Sequence, residues 1–312
     1  MKQVIRRVGG AMVAVVAVVV VRLLVAPAPV AASPASPGAP AAVHVAKGLT
    51  VELTAAESAV TPGRPMMLGV VLRPDEGFHT YWRQPGLVGL TPTVEWSMPE
   101  GFAPGPMLWP EPQRGKMGAY GVWCLKHDTA LVTHVKVPAA LDPAVTPSVT
   151  VKAKVVWMAC SRTCHPGVAE LSLTLPVRAA VPGAEWERSP AFPLIRRTME
   201  EQPIVDERWS FAAVTRPEGA GFSLTLTPPP GQSVPEDAYF FGHQRLVDSN
   251  VEPVRHALPG GAVRLDLALV EEPDPLPDVL IGELWSADGW SGAAVRRLLV
   301  VQVPLVREAA GR

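Results

Sequence analysis

Thiols are scarce in this chain: its 312 residues hold three cysteines, Cys124, Cys160 and Cys164. Three are too few for the disulfide framework of a loop-rich fold, and the odd count leaves one over when two pair. No C-x-x-C occurs. Carboxylates placed for acid–base work, a Ser-His-Asp arrangement and a glycine-rich phosphate loop are also missing, so hydrolytic and nucleotide chemistry have no support. The formal net charge is only −1. No Lys/Arg stripe is interleaved with aromatics, so nucleic acid is not an expected partner, and no basic face is available for a membrane surface. After the N-terminal segment there is no second long apolar run.

That N-terminal segment is informative. Lys2, Arg6 and Arg7 precede an apolar run over residues 8–21, Arg22 follows, and Val30-Ala31-Ala32 offers small side chains where a signal peptidase cuts. Residues 1–32 therefore read as a signal peptide, with an uncleaved membrane anchor as the alternative. The expected location is the periplasm. Residues 33–42 form a Pro/Ala/Ser leader with nothing to bury.

The rest alternates with period two. Val151, Ala153, Val155 and Trp157 share one face while Lys152 and Lys154 take the other, and Leu171, Leu173 and Leu175 alternate with Ser172 and Thr174. Residues 131–137 repeat the pattern with His134 and Lys136 outward. Such valine-rich runs between Pro and Gly clusters are half-buried antiparallel strands. Residues 192–202 are the most helix-like, with Pro193 near the start and Pro203 at the stop. The helix separates two β regions. The fold class expected is all-β: two immunoglobulin-like β-sandwich domains after the signal segment. Their bounds are 43–180 and 208–306, with a linker carrying the short helix over 181–207. The second region has no cysteine, and is expected to support or dock and to be separable from the first. Trp82, Trp96, Trp109 and Trp157 read as core, and His127 and His134 as surface strand residues.

Cys160 and Cys164 sit at the turn between two strands, four residues apart. That spacing brings Cα atoms within disulfide reach. Closing so small a loop removes little unfolded-state entropy, so an accessible, exchangeable bridge is the expectation. Arg162 between the sulfurs and His165 beside the second are cations able to favour a thiolate. A structural staple is the competing reading. So is Cu(I) binding by Cys160, Cys164, His165 and Met158, although no four-ligand spacing marks a metal site and no cofactor is called for. Cys124 reads as a buried small hydrophobe, with a third redox thiol as the alternative.

Four segments in order, residues 77–86 (GFHTYWRQPG), Trp109-Pro110-Glu111-Pro112, Tyr120-Gly121 and the cysteine hairpin, resemble the N-terminal periplasmic domain of the DsbD/ScsB family of disulfide reductases. In the second region, Tyr239-Phe240-Phe241 and Leu246-Val247-Asp248 resemble the cysteine-free second domain of ScsB-type members. The resemblance implies an immunoglobulin-like sandwich that relays electrons to oxidised periplasmic clients through Cys160 and Cys164, with Cys164 attacking. It implies an aromatic cap at Gly118-Ala119-Tyr120-Gly121, where Ala119 stands in place of a larger aromatic. Full members continue into a polytopic membrane domain and a thioredoxin-like domain. Neither is found here, so the expected partners are a separate polytopic membrane electron donor and thioredoxin-like periplasmic proteins. A non-catalytic interaction module or a copper-stress protein are the alternatives.

Overall fold

The computed structural model describes residues 41–181, 187–216, 221–290 and 296–307, and the signal segment and nearly all of the leader lie outside them. Eighteen strands and one α-helix make up the described chain. A five-stranded sheet contains β1 (Val43–Ala46), β2 (Leu49–Ala55), β3 (Met66–Pro74), β9 (Thr129–Lys136) and β6 (Ala103–Leu108), in that order. Against it packs a sheet of β11 (Cys164–Pro176), β10 (Ser148–Cys160) and β5 (Thr93–Ser97). The inward residues of the alternating runs meet between the layers. Val51, Leu53, Val70 and Leu131 share a core with Ala153, Val155, Trp157 and Leu171. His127 and His134 are exposed and Trp82 and Trp157 are fully buried, as their positions along the strands require.

A third sheet, β4 (Thr80–Gly86), β8 (Tyr120–Leu125) and β7 (Gln113–Met117), completes the first region. Helix α1 (Phe192–Glu200) starts with a proline in its first turn and covers the outer face of β3 and β9. Ile195 inserts there, and the Thr198 hydroxyl donates to the Ala130 carbonyl at 2.8 Å.

The second region is one run of seven strands in the order β14 (Tyr239–Gly242), β17 (Val279–Trp285), β18 (Leu298–Val306), β12 (Ser210–Thr215), β13 (Phe222–Thr227), β16 (Val263–Leu267), β15 (Val254–Ala257). All neighbours are antiparallel except β12 and β18. Phe222, Leu224, Leu226 and Leu265 are buried together with Leu280, Leu284, Leu299 and Val301.

The two regions are not independent. One continuous apolar cluster runs through both, and residues 40–312 form a single compact unit. The join lies under the third sheet of the first region. Trp82 and Trp123 meet Phe241 edge-on at 5.9 and 5.4 Å, and the Trp123 indole N–H donates to the Tyr239 hydroxyl at 3.2 Å. Beside them Glu283, only 2 % exposed, holds Arg83 at 3.5 Å and His243 at 3.1 Å. Arg83 also lies over the rings of Trp82 and Trp109. A buried carboxylate is tolerated only with such partners, because unpaired burial of a charge is very costly. This shared core argues against the expectation of a separable second region. Strand alternation records which residues are inward, and it does not record whose core they enter.

Candidate functional site

Strands β10 and β11 form one long hairpin of thirteen cross-strand pairs, from Ser148–Pro176 out to Cys160–Cys164. Continuous alternation on both arms explains its length, since every second residue finds core to bury in. The last pair is the disulfide, with Cα atoms 4.1 Å apart. The tip is anchored a second time by backbone. His79 and Cys160 exchange both N–H···O bonds, each 2.9 Å.

The two sulfurs have different surroundings. Cys160 is completely buried, whereas Cys164 is half-buried at the rim. The Tyr81 hydroxyl donates to Cys160 Sγ at 3.0 Å and stands 3.9 Å from Cys164 Sγ. Burial foremost, and the neighbouring Cys124 after it, push the Tyr81 phenol up to about 12. It therefore stays protonated at neutral pH and serves as a hydrogen-bond donor. The segment after β4 runs across the Tyr81 ring. Gly89, at φ +124°, lies so close that a side-chain carbon there would be 2.2 Å from the ring. Val88 and Met117 pack against the cluster of Tyr81, Val122, Cys124 and Cys160. Together they cover the buried side of the disulfide.

The residues singled out from sequence fall into two groups. Cys160 and Cys164 are bonded, and Arg162 is exposed at the turn between them. His165 is half-buried, its Nε2 is 3.1 Å from the Thr163 hydroxyl, and its ring lies 6.1 Å from that of Phe78. Alternation along β11 turns it to the face opposite Cys164. Tyr120 stands away from the pair: it is 52 % exposed and lines a cleft with Leu87, Arg245, Asp248 and Asn250. Gly121 is buried beside it and bonds to the second region. The turn's contact with the cysteine cluster comes instead from Met117.

Cys124 is free and fully buried, its thiol directed to the Gln113 carbonyl at 3.4 Å. Burial raises its pKa to about 11, so it is not a thiolate at neutral pH. His79 packs edge-on to Tyr81 at 5.3 Å and is only 8 % exposed. Burial, and secondly Lys126, lower its pKa, which keeps the ring neutral. Among the described residues no cluster of three or more His, Cys, Asp or Glu could hold a metal ion. No described helix is long and apolar enough to cross a membrane. Sequence reasoning missed Tyr81. It lay within the segment 77–86 that carried the family resemblance, but nothing in a strand pattern says which aromatic meets a sulfur.

The site is thus a hairpin-borne disulfide with one sulfur at the rim and one buried, on an all-β fold. Residues 49–176 match the family described as thiol:disulfide interchange protein DsbD, N-terminal. The N-terminal periplasmic domain of ScsB from Proteus mirabilis is similar in fold, with a TM-score of 0.56 at 15% sequence identity. That likeness covers 83% of this chain and 93% of the other, so it extends over both sandwiches. The periplasmic chaperone SfaE aligns over 82% of this chain and all of its own, at 10% identity, but its TM-score of 0.21 carries no argument. No curated protein matches the chain.

Proposed function

We propose that this protein is an exported thiol–disulfide oxidoreductase. It carries electron pairs between a membrane-bound dithiol donor and thioredoxin-like periplasmic proteins through Cys160 and Cys164. The observation that carries the reading is the asymmetry of the pair, one sulfur at the rim and the other buried on a phenol. Export is supported by the basic, apolar and small-residue order of the N-terminus, and by the fold shared with a periplasmic domain.

The chemistry follows from that asymmetry. In the reduced protein the Cys164 thiolate attacks a client disulfide and expels one client sulfur as thiolate. Cys160 then attacks Cys164 Sγ in the mixed disulfide, releasing the second client thiolate and re-forming the Cys160–Cys164 bond. Two electrons have passed to the client. Reduction by a donor dithiol is the reverse, with Cys160 as the leaving sulfur. A buried thiolate is disfavoured by desolvation, and a hydrogen bond to the charged form offsets this. The Tyr81 hydroxyl is placed to supply it.

Two measurements test the reading. Equilibration with glutathione buffers should place the reduction potential above about −300 mV, outside the range of structural bridges. A value well below that makes the pair a staple. Tyr81→Phe should slow reduction by a small dithiol about tenfold to a hundredfold, since hydrogen bonds to charged groups contribute about 1.5–3 kcal/mol. A rate equal to the parent's would remove Tyr81 from the mechanism.

A further inference from the structure

The cover over the buried sulfur is tied down by the other region of the chain. Its two pieces are the segment after β4, with Val88 and Gly89, and the β7–β8 turn, with Met117. Both are gripped where they leave the sheet. The Ser249 hydroxyl donates to the Gly121 carbonyl at 2.8 Å and accepts from the Leu87 N–H at 3.2 Å. Asn250 Oδ1 accepts from the Gly121 N–H at 2.6 Å and from Lys116 Nζ at 3.0 Å.

The grip is close and itself anchored. A side-chain carbon on Gly121 would stand 2.2 Å from the Ser249 carbonyl oxygen, so only glycine admits this approach. Asp248 Oδ1 accepts from the Asn250 N–H at 2.8 Å and shapes the turn. The Asp248 N–H and the Val270 N–H bond to the Ala268 and Leu246 carbonyls, each at 2.9 Å, fixing the turn to the second sandwich. Arg114 on β7 pairs with Glu252 just beyond it. An open cleft of about 540 Å³, lined by Leu87, Tyr120 and Asn250, adjoins the grip.

We infer that Ser249 and Asn250 are positioning residues for the exchange reaction, a strap from the cysteine-free sandwich that holds the cover closed over the cluster of Tyr81 and Cys160, against which the half-buried Cys164 also packs, and so limits how far Cys164 opens to an attacking thiol. This rests on the exchange reading above. It gives the second sandwich a task that needs no thiol: setting how often the pair is open to a partner.

The test uses the full chain. Asn250→Ala removes the acceptor shared by Gly121 and Lys116. It should raise the rate of reduction by dithiothreitol about fivefold, the effect of losing one ordinary hydrogen bond from a closed state. Alkylation of the reduced protein by iodoacetamide should accelerate likewise. Asn250→Asp keeps the acceptor oxygen and should restore the parent rate. Ser249→Ala, which breaks the other half of the strap, should resemble Asn250→Ala. The equilibrium with glutathione should stay where it is in the parent, because Ser249 and Asn250 bond to neither sulfur. Parent-like or slower rates in both alanine variants, with the fold retained by circular dichroism, overturn the strap while leaving exchange intact. A parent disulfide that does not exchange at all overturns the functional reading, and the strap with it.

Discussion

Replacing Cys164 with alanine should abolish exchange with a thioredoxin-like protein and leave the fold in place. Cys164 is the sulfur at the rim, and without it the remaining thiols, Cys160 and Cys124, are both fully buried. The bridge spans only four residues of sequence separation, and closing so short a loop contributes about 2 kcal/mol through the unfolded state. Thirteen cross-strand pairs and the two backbone hydrogen bonds between His79 and Cys160 remain. For a domain of this size the midpoint should fall by roughly 4–8 °C. The complementary Cys160→Ala should keep the rim thiol and trap the partner as a stable mixed disulfide, since the resolving sulfur is gone and Cys124 is a buried thiol whose pKa burial raises to about 11. A melting point lower by 20 °C or so in Cys164→Ala would mean the pair is chiefly structural. Thermal scans and non-reducing electrophoresis read both outcomes.

Cutting the chain after residue 180 should not release a folded redox domain. The cut removes α1, whose Ile195 and Thr198 cover the outer face of β3 and β9. It also strips Tyr239 and Phe241 from Trp82 and Trp123, and Glu283 from the partly buried Arg83. Each tryptophan buries about 200 Å². At about 25 cal/mol per Å², losing half the burial of both costs about 5 kcal/mol, comparable with the whole stability of many domains. The fragment should collect in inclusion bodies or give a broad, non-cooperative melt, where the full chain melts sharply. A soluble fragment with a cooperative transition near the parent's would show that the shared core is dispensable.

Much of this architecture is legible in the sequence, and the reasons are local. The arms of the hairpin announce themselves because Val151, Ala153, Val155 and Trp157 face one core without interruption. The helix at 192–200 shows through its proline start. What stays hidden depends on which surfaces meet. Trp82 and Trp123 look like ordinary core tryptophans, and only the folded chain reveals that part of their packing comes from the other sandwich. Glu283 sits in the apolar strand Val279–Trp285 with nothing to mark it as an ion-pair partner two hundred residues from Arg83. The site divides the same way. Its cysteines are visible by spacing, while Tyr81 reaches Cys160 across 79 positions of sequence, and Ser249 reaches Gly121 across 128.

The tip of the hairpin is held by main-chain ladder on both sides, to β11 and to His79. None of those bonds involves a sulfur. Breaking the disulfide therefore leaves the outline of the tip almost as it was, and a visiting protein meets nearly the same shape whether the pair is charged with electrons or spent. On the exchange reading proposed above, the shape of the tip would not tell a partner that reaction is complete. Electron flow would then follow the potentials of the neighbouring proteins, and turnover would depend on weak docking that lets reactant and product leave with equal ease.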